Sequence, residues 1–395
     1  MTSKIPVIQL FYTFDVEAGG GGLSKFAIEL GKNLDPDQFE VIFCSLGYYD
    51  SPLGQQRIAE LNDSGYQAFE AAHWDLNHPY RSFLEAQSCL DRWLRVQARR
   101  TVIHSHSEYT DINALLLKLH RWSTPILRTV HYGFRYEWST KPIRRLILTN
   151  TLYPMMFDLE IGINQFNTDR MNRRHIARLL GKPSRRVFNA ISLEPFQSIS
   201  VDIAQKKSSL GIPAQAPVVG TVGRLADQKG YTYLLDAAAE VLKVKPETYF
   251  LIIGDGPLTD ELTQKAQQLP AHQQVILTGA RADVPELLHC MDLFVSSSLW
   301  EGLPTVILEA MACEVPVIGT DIPGTDELVM DAVNGLLAAP ADGQGLAKAI
   351  LRLLAEPGLA AKLALAAQET VQQFQIQHIA QEYGQIYRAL AGYPK

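Results

Sequence analysis

The chain has 395 residues, 47% of them hydrophobic and 20% charged, which is more than one ordinary core holds and too apolar for a disordered polypeptide, so two domains are expected. Four scattered cysteines, Cys44, Cys89, Cys290 and Cys313, form no CxxC pair; neither a disulfide framework nor a zinc ribbon is suggested, and a reducing cytoplasm is the expected setting. No stretch approaches the ~18 uninterrupted apolar residues of a membrane span, and the net charge of −6 averages two unlike halves: 23 Lys+Arg against 20 Asp+Glu through residue 195, then 13 against 22.

In chain order, residues 5–14 come first, an apolar run that contains Pro6, closes at Asp15 without a leader-cleavage pattern, and reads as a buried strand. Strand-length apolar runs follow at 41–45, 101–105 and 126–130, with helix-period stretches at 23–34, 52–64, 81–99 and 111–119. The second half repeats the alternation, with strands at 218–222, 249–253, 275–278, 293–296 and 315–319 and helices at 231–242, 258–268, 284–290, 306–312 and 345–356. Uninterrupted apolar strands separated by helices are the pattern of parallel sheets covered on both faces. The join falls near 187–195, and the terminal helices, 359–391, carry a 3.6-residue apolar spacing that needs a surface to cover. Ligands of doubly wound sheets bind outside the carboxyl ends of the strands.

Three constellations fall at such strand ends. Gly19 to Gly22 follow the first strand and open a helix, where backbone amides can approach an anion without a Cβ in the way, although the spacing makes neither a dinucleotide fingerprint nor a Walker loop. Gly223, Arg224, Lys229 and Gly230 follow another strand, and a guanidinium and an ammonium five residues apart suit the two phosphates of a diphosphate. The third runs from Trp300 to Ala312. Glu301 sits before the turn Gly302-Leu303-Pro304, and Glu309 lies on the helix that follows Thr305. A loop carboxylate there can accept hydrogen bonds from sugar hydroxyls, a helical one can hold the two hydroxyls of a ribose, and the amides of the turn can meet phosphate oxygens. The plain alternatives are a flexible turn, a solvated charged loop and an accidental pair of glutamates.

Taken together these residues resemble the retaining glycosyltransferases of family 4. The resemblance rests on Glu301 and Glu309 in the E-G-x-P-x-x-x-x-E-A-M-A frame and on Val315 to Thr320 after it; on Gly21-Gly22 with the helix that ends at Glu29-Leu30; and on the junction Asn189 to Phe196. Gly223-Arg224, Lys229-Gly230, Gly254 to Pro257 and Gly279 add to it. It implies an α/β chain of the GT-B fold, with two doubly wound, Rossmann-like parallel-sheet domains facing a deep interdomain cleft. Residues 1–190 would bind the acceptor, joined by a final helix at about 376–392, and 191–375 would bind the nucleotide sugar, with a hinge near 190–196 and a second crossing near 370–378. Glu309 would hold the ribose, Arg224 and Lys229 the diphosphate, and Glu301 with residues 302–305 the sugar and phosphate. Gly21 and Gly22 would close on the diphosphate, Gly254 would mark the next strand end, and Ala280 and Arg281 would lie near the base.

The hard step in such a transfer is departure of a nucleoside diphosphate, which fixed cations stabilise, so Arg224 and Lys229 would be the main electrostatic catalysts and no cofactor or metal is expected beyond the sugar nucleotide itself. The single Asp-x-Asp, Asp35-Pro36-Asp37, reads as a turn. His104 and His106 end one strand with their rings on the same side. His131 ends the next and resembles the family's cleft histidine; His131 is expected to contact the sugar or acceptor, with His106 and Tyr132 as further cleft residues, against the reading of satisfied structural histidines. Departures from the family pattern, Ala190, Ser192, Glu314 and Pro323-Gly324-Thr325, fall on loops beside the sugar.

Residues 81–186 hold 19 basic and 8 acidic side chains. This basic field suits a glycan or glycolipid acceptor, and anionic membrane is the further candidate, with Arg144, Arg145 and the 170–186 cluster beside the apolar run 146–157. The plainer reading is a solvated basic face with 146–157 as core. Nucleic acid is not expected, for want of a stacking platform. The resulting expectation is a retaining, metal-independent glycosyltransferase of cell-surface polysaccharide or glycolipid synthesis, cytoplasmic or peripheral on the inner membrane face. A nucleotide-sugar epimerase or phosphorylase and a non-catalytic sugar-nucleotide-binding protein are the alternatives.

Overall fold

The computed structural model describes residues 4–15, 21–47, 51–75, 77–97, 99–121, 123–131 and 146–392. The chain divides into two compact units, Met1–Ala190 with Ile376–Lys395, and Ile191–Gln375.

In the first unit seven parallel strands, β1 (Ile5–Phe11), β2 (Phe39–Ser45), β3 (Gln67–Glu70), β4 (Val102–Ser105), β5 (Ile126–Val130), β6 (Leu159–Gly162) and β7 (Arg185–Arg186), stand in the order β3-β2-β1-β4-β5-β6-β7. The order reverses between β1 and β4, the place where doubly wound sheets bind ligands. Alternation along the strands divides the core in two. Val7, Phe11, Val102, Leu127 and Ile161 face one layer with Phe26, Ile376, Ile379, Tyr383 and Tyr387. Ile8, Leu10, Ile103 and Ile126 face the other with Leu90, Ala114, Tyr153 and Phe157. The final helix, Ile376–Ala391, therefore buries one stripe against this sheet, at roughly 2 kcal/mol for each fully covered aliphatic side chain.

The second unit has six parallel strands: β8 (Val218–Val222), β9 (Tyr249–Ile253), β10 (Val275–Leu277), β11 (Leu293–Ser296), β12 (Val317–Thr320) and β13 (Leu336–Ala338). Their order is β10-β9-β8-β11-β12-β13. Its switch point lies between β8 and β11. The Tyr231–Val244 and Gly343–Ala355 helices pack together over one core cluster with the strands.

Both parallel sheets match the fold class expected from sequence, but four strands escaped it. β3, β6, β7 and β13 have two to four residues and lie at or near sheet edges, too short to show a period. The run 146–157 is corrected. It is core only in part: Tyr153 and Phe157 are buried, but Leu146, Ile147, Leu152 and Met155 are exposed, because this stretch is helical with one covered face. The 359–391 stretch is two helices, Pro357–Val371 in the second unit and Ile376–Ala391 in the first. Asp35 caps its own turn, accepting from the Asp37 amide at 2.9 Å, which holds its carboxyl below the usual range. All four cysteines are free thiols.

Candidate active site

At the switch point of the second unit the loop after β8 is held from both sides by backbone. Toward β9, the Gly223 amide donates to Ile253 O (2.9 Å), Leu225 to Asp255 O (2.9 Å) and Leu258 to Leu225 O (3.0 Å). Toward β11, the Leu299 amide donates to Gln228 O (2.7 Å) and Ser297 Oγ to Lys229 O (2.8 Å). Gly230 sits between them at φ 60°, ψ 28°, and a Cβ there would run into the Ser297 carbonyl; only glycine meets both demands. Gly254 has a comparable packing duty. Its amide donates to Gly279 O (2.9 Å) and its Cα lies against the Gly223 carbonyl, so what glycine supplies there is close backbone approach.

Arg224 is exposed on this loop and its side chain makes no hydrogen bond or ion pair among the described residues. Lys229 is held differently. Its Nζ lies 2.6 Å from Glu301 Oε1, which also accepts from Ser298 Oγ at 2.7 Å, while Gln228 Nε2 donates to Glu301 Oε2 at 3.2 Å. Sequence reasoning gave Lys229 and Glu301 separate partners; the structure makes them partners of each other. Glu301 is buried, and a carboxylate buried without this pairing would cost several kcal/mol, on the order of 3–5. Gln228 and Ser298 went unnoticed because neither residue type nor spacing marks them.

Gly302, Leu303 and Pro304 are buried, and the Thr305–Ala312 helix that follows has no side-chain N-cap, so the amides of its first turn have no capping side chain. Glu309 is buried on that helix. Ala280 is exposed after β10. Arg281 donates Nε and a terminal nitrogen to the two oxygens of Asp283 (2.8 and 2.7 Å), an engagement not foreseen; with Lys206 Nζ at 2.6 Å it holds the Asp283 carboxyl well below the usual range.

At the switch point of the first unit the chemistry is uncharged. The helix Gly21–Lys32 opens there, and a Cβ at Gly22 would meet nothing within 4 Å, so packing does not demand glycine at that position. Gly19, Gly20, Tyr132, Arg144 and Arg145 lie outside the described residues. Strand alternation puts Gln9, His104, His106, Thr129 and His131 on the sheet face covered by the final helix, Gln9 within β1 and the others at or near the carboxyl ends of β4 and β5. His106 Nε2 lies 2.8 Å from Gln9 Oε1, and His106 Nδ1 lies 3.2 Å from His131 Nε2. Gln9 Nε2 donates to Tyr387 OH (3.0 Å), His104 bridges Tyr387 OH and Thr129 Oγ1 (2.7 Å each), and Thr129 meets Tyr383 OH (2.8 Å). The rings of His104 and His106 lie tilted by 38° with centroids 3.9 Å apart, and Phe26 closes the cluster edge-on, 5.3 Å from His131.

Burial pushes His131 down to about 3 and holds His104 and His106 well below the ordinary histidine value, so all three rings are neutral near pH 7. Gln9, Thr129, Tyr383 and Tyr387 were missed in the sequence. The signal available was the pair of tyrosines four residues apart on one stripe of the last helix. Nearby, Tyr12, Trp74 and Tyr109 form an aromatic cluster beyond β1, β3 and β4; Tyr12 and Tyr109 stack at 5.7 Å, and Tyr109 is half exposed. Among the described residues no three His, Cys, Asp or Glu side chains converge as a metal-binding group, and no helix is long and apolar enough to cross a membrane.

Two Rossmann-like units, each with polar residues gathered near its switch point, are the pattern of two-domain α/β proteins, and comparison with known proteins narrows it. Residues 202–370 match the family described as glycosyl transferases group 1, and residues 20–156 match Glycosyltransferase Family 4. The chain belongs to the family 4 glycosyltransferases, with the GT-B fold. It is 35% identical over 185 residues to the lipopolysaccharide core biosynthesis glycosyltransferase LpsE of Rhizobium meliloti, covering 47% of this chain and 53% of that protein. It is 29% identical over 266 residues to the UDP-Gal:alpha-D-GlcNAc-diphosphoundecaprenol alpha-1,3-galactosyltransferase of Escherichia coli, covering 64% and 66%. The matches thus span about half to two thirds of these relatives' lengths. Among solved structures, HepE of Anabaena in complex with UDP-glucose superposes with a TM-score of 0.79 at 21% identity, covering 98% of this chain and all of that one.

Proposed function

We propose that the chain transfers a glycosyl group from a nucleoside diphosphate sugar to a glycan or glycolipid acceptor in cell-surface polysaccharide or lipopolysaccharide synthesis, with retention of anomeric configuration and without a metal. The observation that carries this reading is the second unit's switch point, where the Lys229–Glu301 pair, exposed Arg224 and the uncapped Thr305–Ala312 helix share interlocked loops. Departure of the nucleoside diphosphate builds negative charge, and Arg224 and Lys229 meet it with two cations, Lys229 exchanging its Glu301 contact for phosphate oxygen. Glu301 then accepts from sugar hydroxyls, and Glu309 from the ribose. The match to proteins named for lipopolysaccharide and diphosphoundecaprenol-linked acceptors supports a glycan or glycolipid acceptor here.

On the acceptor side, the Tyr12–Trp74–Tyr109 cluster offers an aromatic face for the C–H face of a sugar ring. Peripheral contact with anionic lipid is supported by Leu146, Ile147, Met155 and Leu179, exposed on helices joined by the Arg174–Thr149 O (2.8 Å) and Lys182–Met155 O (3.1 Å) hydrogen bonds, with Arg173 and Arg178 exposed among them. Flotation with phosphatidylserine vesicles at low salt checks this; no recovery in the floated fraction overturns it.

The transfer itself is tested by thermal shift with UDP-, GDP- and ADP-sugars, then by product mass spectrometry with candidate acceptors. Nucleotide release that depends on added acceptor is the expected result, and anomeric NMR of the product reads the configuration. A sugar nucleotide altered with no acceptor present points to epimerisation instead. Activity that survives exhaustive chelation is expected, and its loss with rescue by a divalent cation overturns the metal-independent reading.

A further inference from the structure

Three consecutive residues after β11 hold the parts of the second unit's switch point separately. Ser297 Oγ donates to the Lys229 carbonyl (2.8 Å), Ser298 Oγ to Glu301 Oε1 (2.7 Å), and the Leu299 amide to the Gln228 carbonyl (2.7 Å). Lys229 is therefore anchored through its backbone, whose amide also donates to Ala226 O (2.9 Å), while among the described residues its side chain is held only at the ammonium, by Glu301. The stem runs past Gly223, where an added Cβ would come within 3.3 Å of Lys229 Cε, and it stays partly exposed. The ammonium can turn outward on a fixed backbone by giving up one ion pair.

That turn leaves behind Glu301, a buried carboxylate without its counter-ion. Its two remaining donors are neutral, and their direction is forced. Gln228 Nε2 faces Trp300 O (2.9 Å) and Glu301 Oε2 (3.2 Å); a backbone carbonyl only accepts, so the amide nitrogen must be the atom between them. Ser298 is itself fixed from the end of β12, where Thr320 Oγ1 donates to its carbonyl, and both residues are buried.

We infer that Ser298 and Gln228 are positioning residues that satisfy and hold the Glu301 carboxylate while Lys229 is engaged by the diphosphate of the donor. In the free protein three donors share the carboxylate, and the ammonium covers part of the loss of either neutral one. With Lys229 on phosphate oxygen only two remain, so removing either falls more heavily on the bound state than on the free one. Ser298 and Gln228 thereby contribute to affinity for a nucleoside diphosphate through Glu301 and the release of Lys229, without contacting it. The inference rests on the donor-site part of the glycosyl-transfer reading.

The test is calorimetric titration of the full chain with UDP, GDP and ADP, none of which brings a sugar to Glu301. The tightest binder of the three is then titrated into the variants. Ser298→Ala and Gln228→Met are each expected to weaken it about tenfold, the effect of one hydrogen bond to a charged group. Glu301→Gln, which releases Lys229 from its ion pair, is expected to bind at least as tightly as the parent protein, and either substitution added to Glu301→Gln is expected to change nothing further. A general loosening of the loop would instead weaken binding in both backgrounds. Gln228→Met keeps the length of the side chain and guards against a folding failure in Ser298→Ala. Parent-like affinity in either folded variant, or the same loss in the Glu301→Gln background, overturns the inference and leaves the transfer reading standing. A parent protein that binds none of the three diphosphates overturns both.

Discussion

The two switch points solve the same problem with opposite chemistry. In the second unit, charges sit on loops tied by backbone hydrogen bonds, and the central carboxylate, Glu301, is stabilised by an ammonium, a hydroxyl and an amide. In the first, three neutral imidazoles, two phenols, a hydroxyl and an amide are buried with no ionic group among them. A charged site suits a ligand whose charge changes during reaction, and it exchanges internal for external partners readily. A neutral buried network suits a ligand that must be oriented by hydroxyls, and its information lies in which atom donates. The second unit's switch point is therefore charged and the first unit's neutral.

Lys229→Met strikes hardest at the charged side. Turnover is expected to fall about 10²–10³-fold through loss of a leaving-group cation, and stability to fall by about 3–5 kcal/mol because Glu301 is left buried without its ammonium partner. Adding Glu301→Gln restores the urea midpoint but not turnover; recovery of both would make the pair structural only. Gly230→Ala comes next. The left-handed backbone and the Ser297 carbonyl together make this cost about 2–3 kcal/mol in urea unfolding, and a loss below about 0.5 kcal/mol would show that the loops are not latched there.

The neutral side is broken by acid. The folded values of His104, His106 and His131 lie below the ordinary 6.5, so the unfolded chain takes up protons first as pH falls through that value. Their contribution is complete above about pH 6.5 and is lost toward His131's folded value of about 3, at roughly 1.4 kcal/mol per pH unit for each ring. Asp111, raised to about 6 by burial despite Arg128 beside it, opposes this between its ordinary value and 6, but it is one group against three. A urea midpoint lower at pH 5 than at pH 7.5, with a shallower fall in His131→Gln, is the expected result; a midpoint independent of pH would mean the network is charged. The smallest effect is Arg224→Ala. Exposed and without internal partners, Arg224 should change stability by less than about 0.5 kcal/mol, while the KM for the sugar nucleotide rises about tenfold. A stability loss without a change in KM would remove Arg224 from the donor site.

The sequence determined the fold class because long buried strands alternate with amphipathic helices, and parallel sheets need both. It also placed Arg224, Lys229, Glu301 and Glu309 on particular strand-end loops and helices, since Gly and Pro punctuation marks where strands stop. It did not show that Lys229 and Glu301 pair, because residues 72 positions apart meet only when β8 and β11 become neighbours. Edge strands of two to four residues carried no period to read, and the run 146–157 hid its exposed face because a short apolar stretch does not announce which side is covered. The histidines were visible, but the partners that orient them were not. Gln9, Thr129, Tyr383 and Tyr387 come from two strands and a helix nearly the whole chain apart, and the buried network they form with His104, His106 and His131 exists only in space. Local pattern selects elements through periodicity, but hydrogen-bond direction belongs to a network, and this network exists only once the final helix lies on the first sheet.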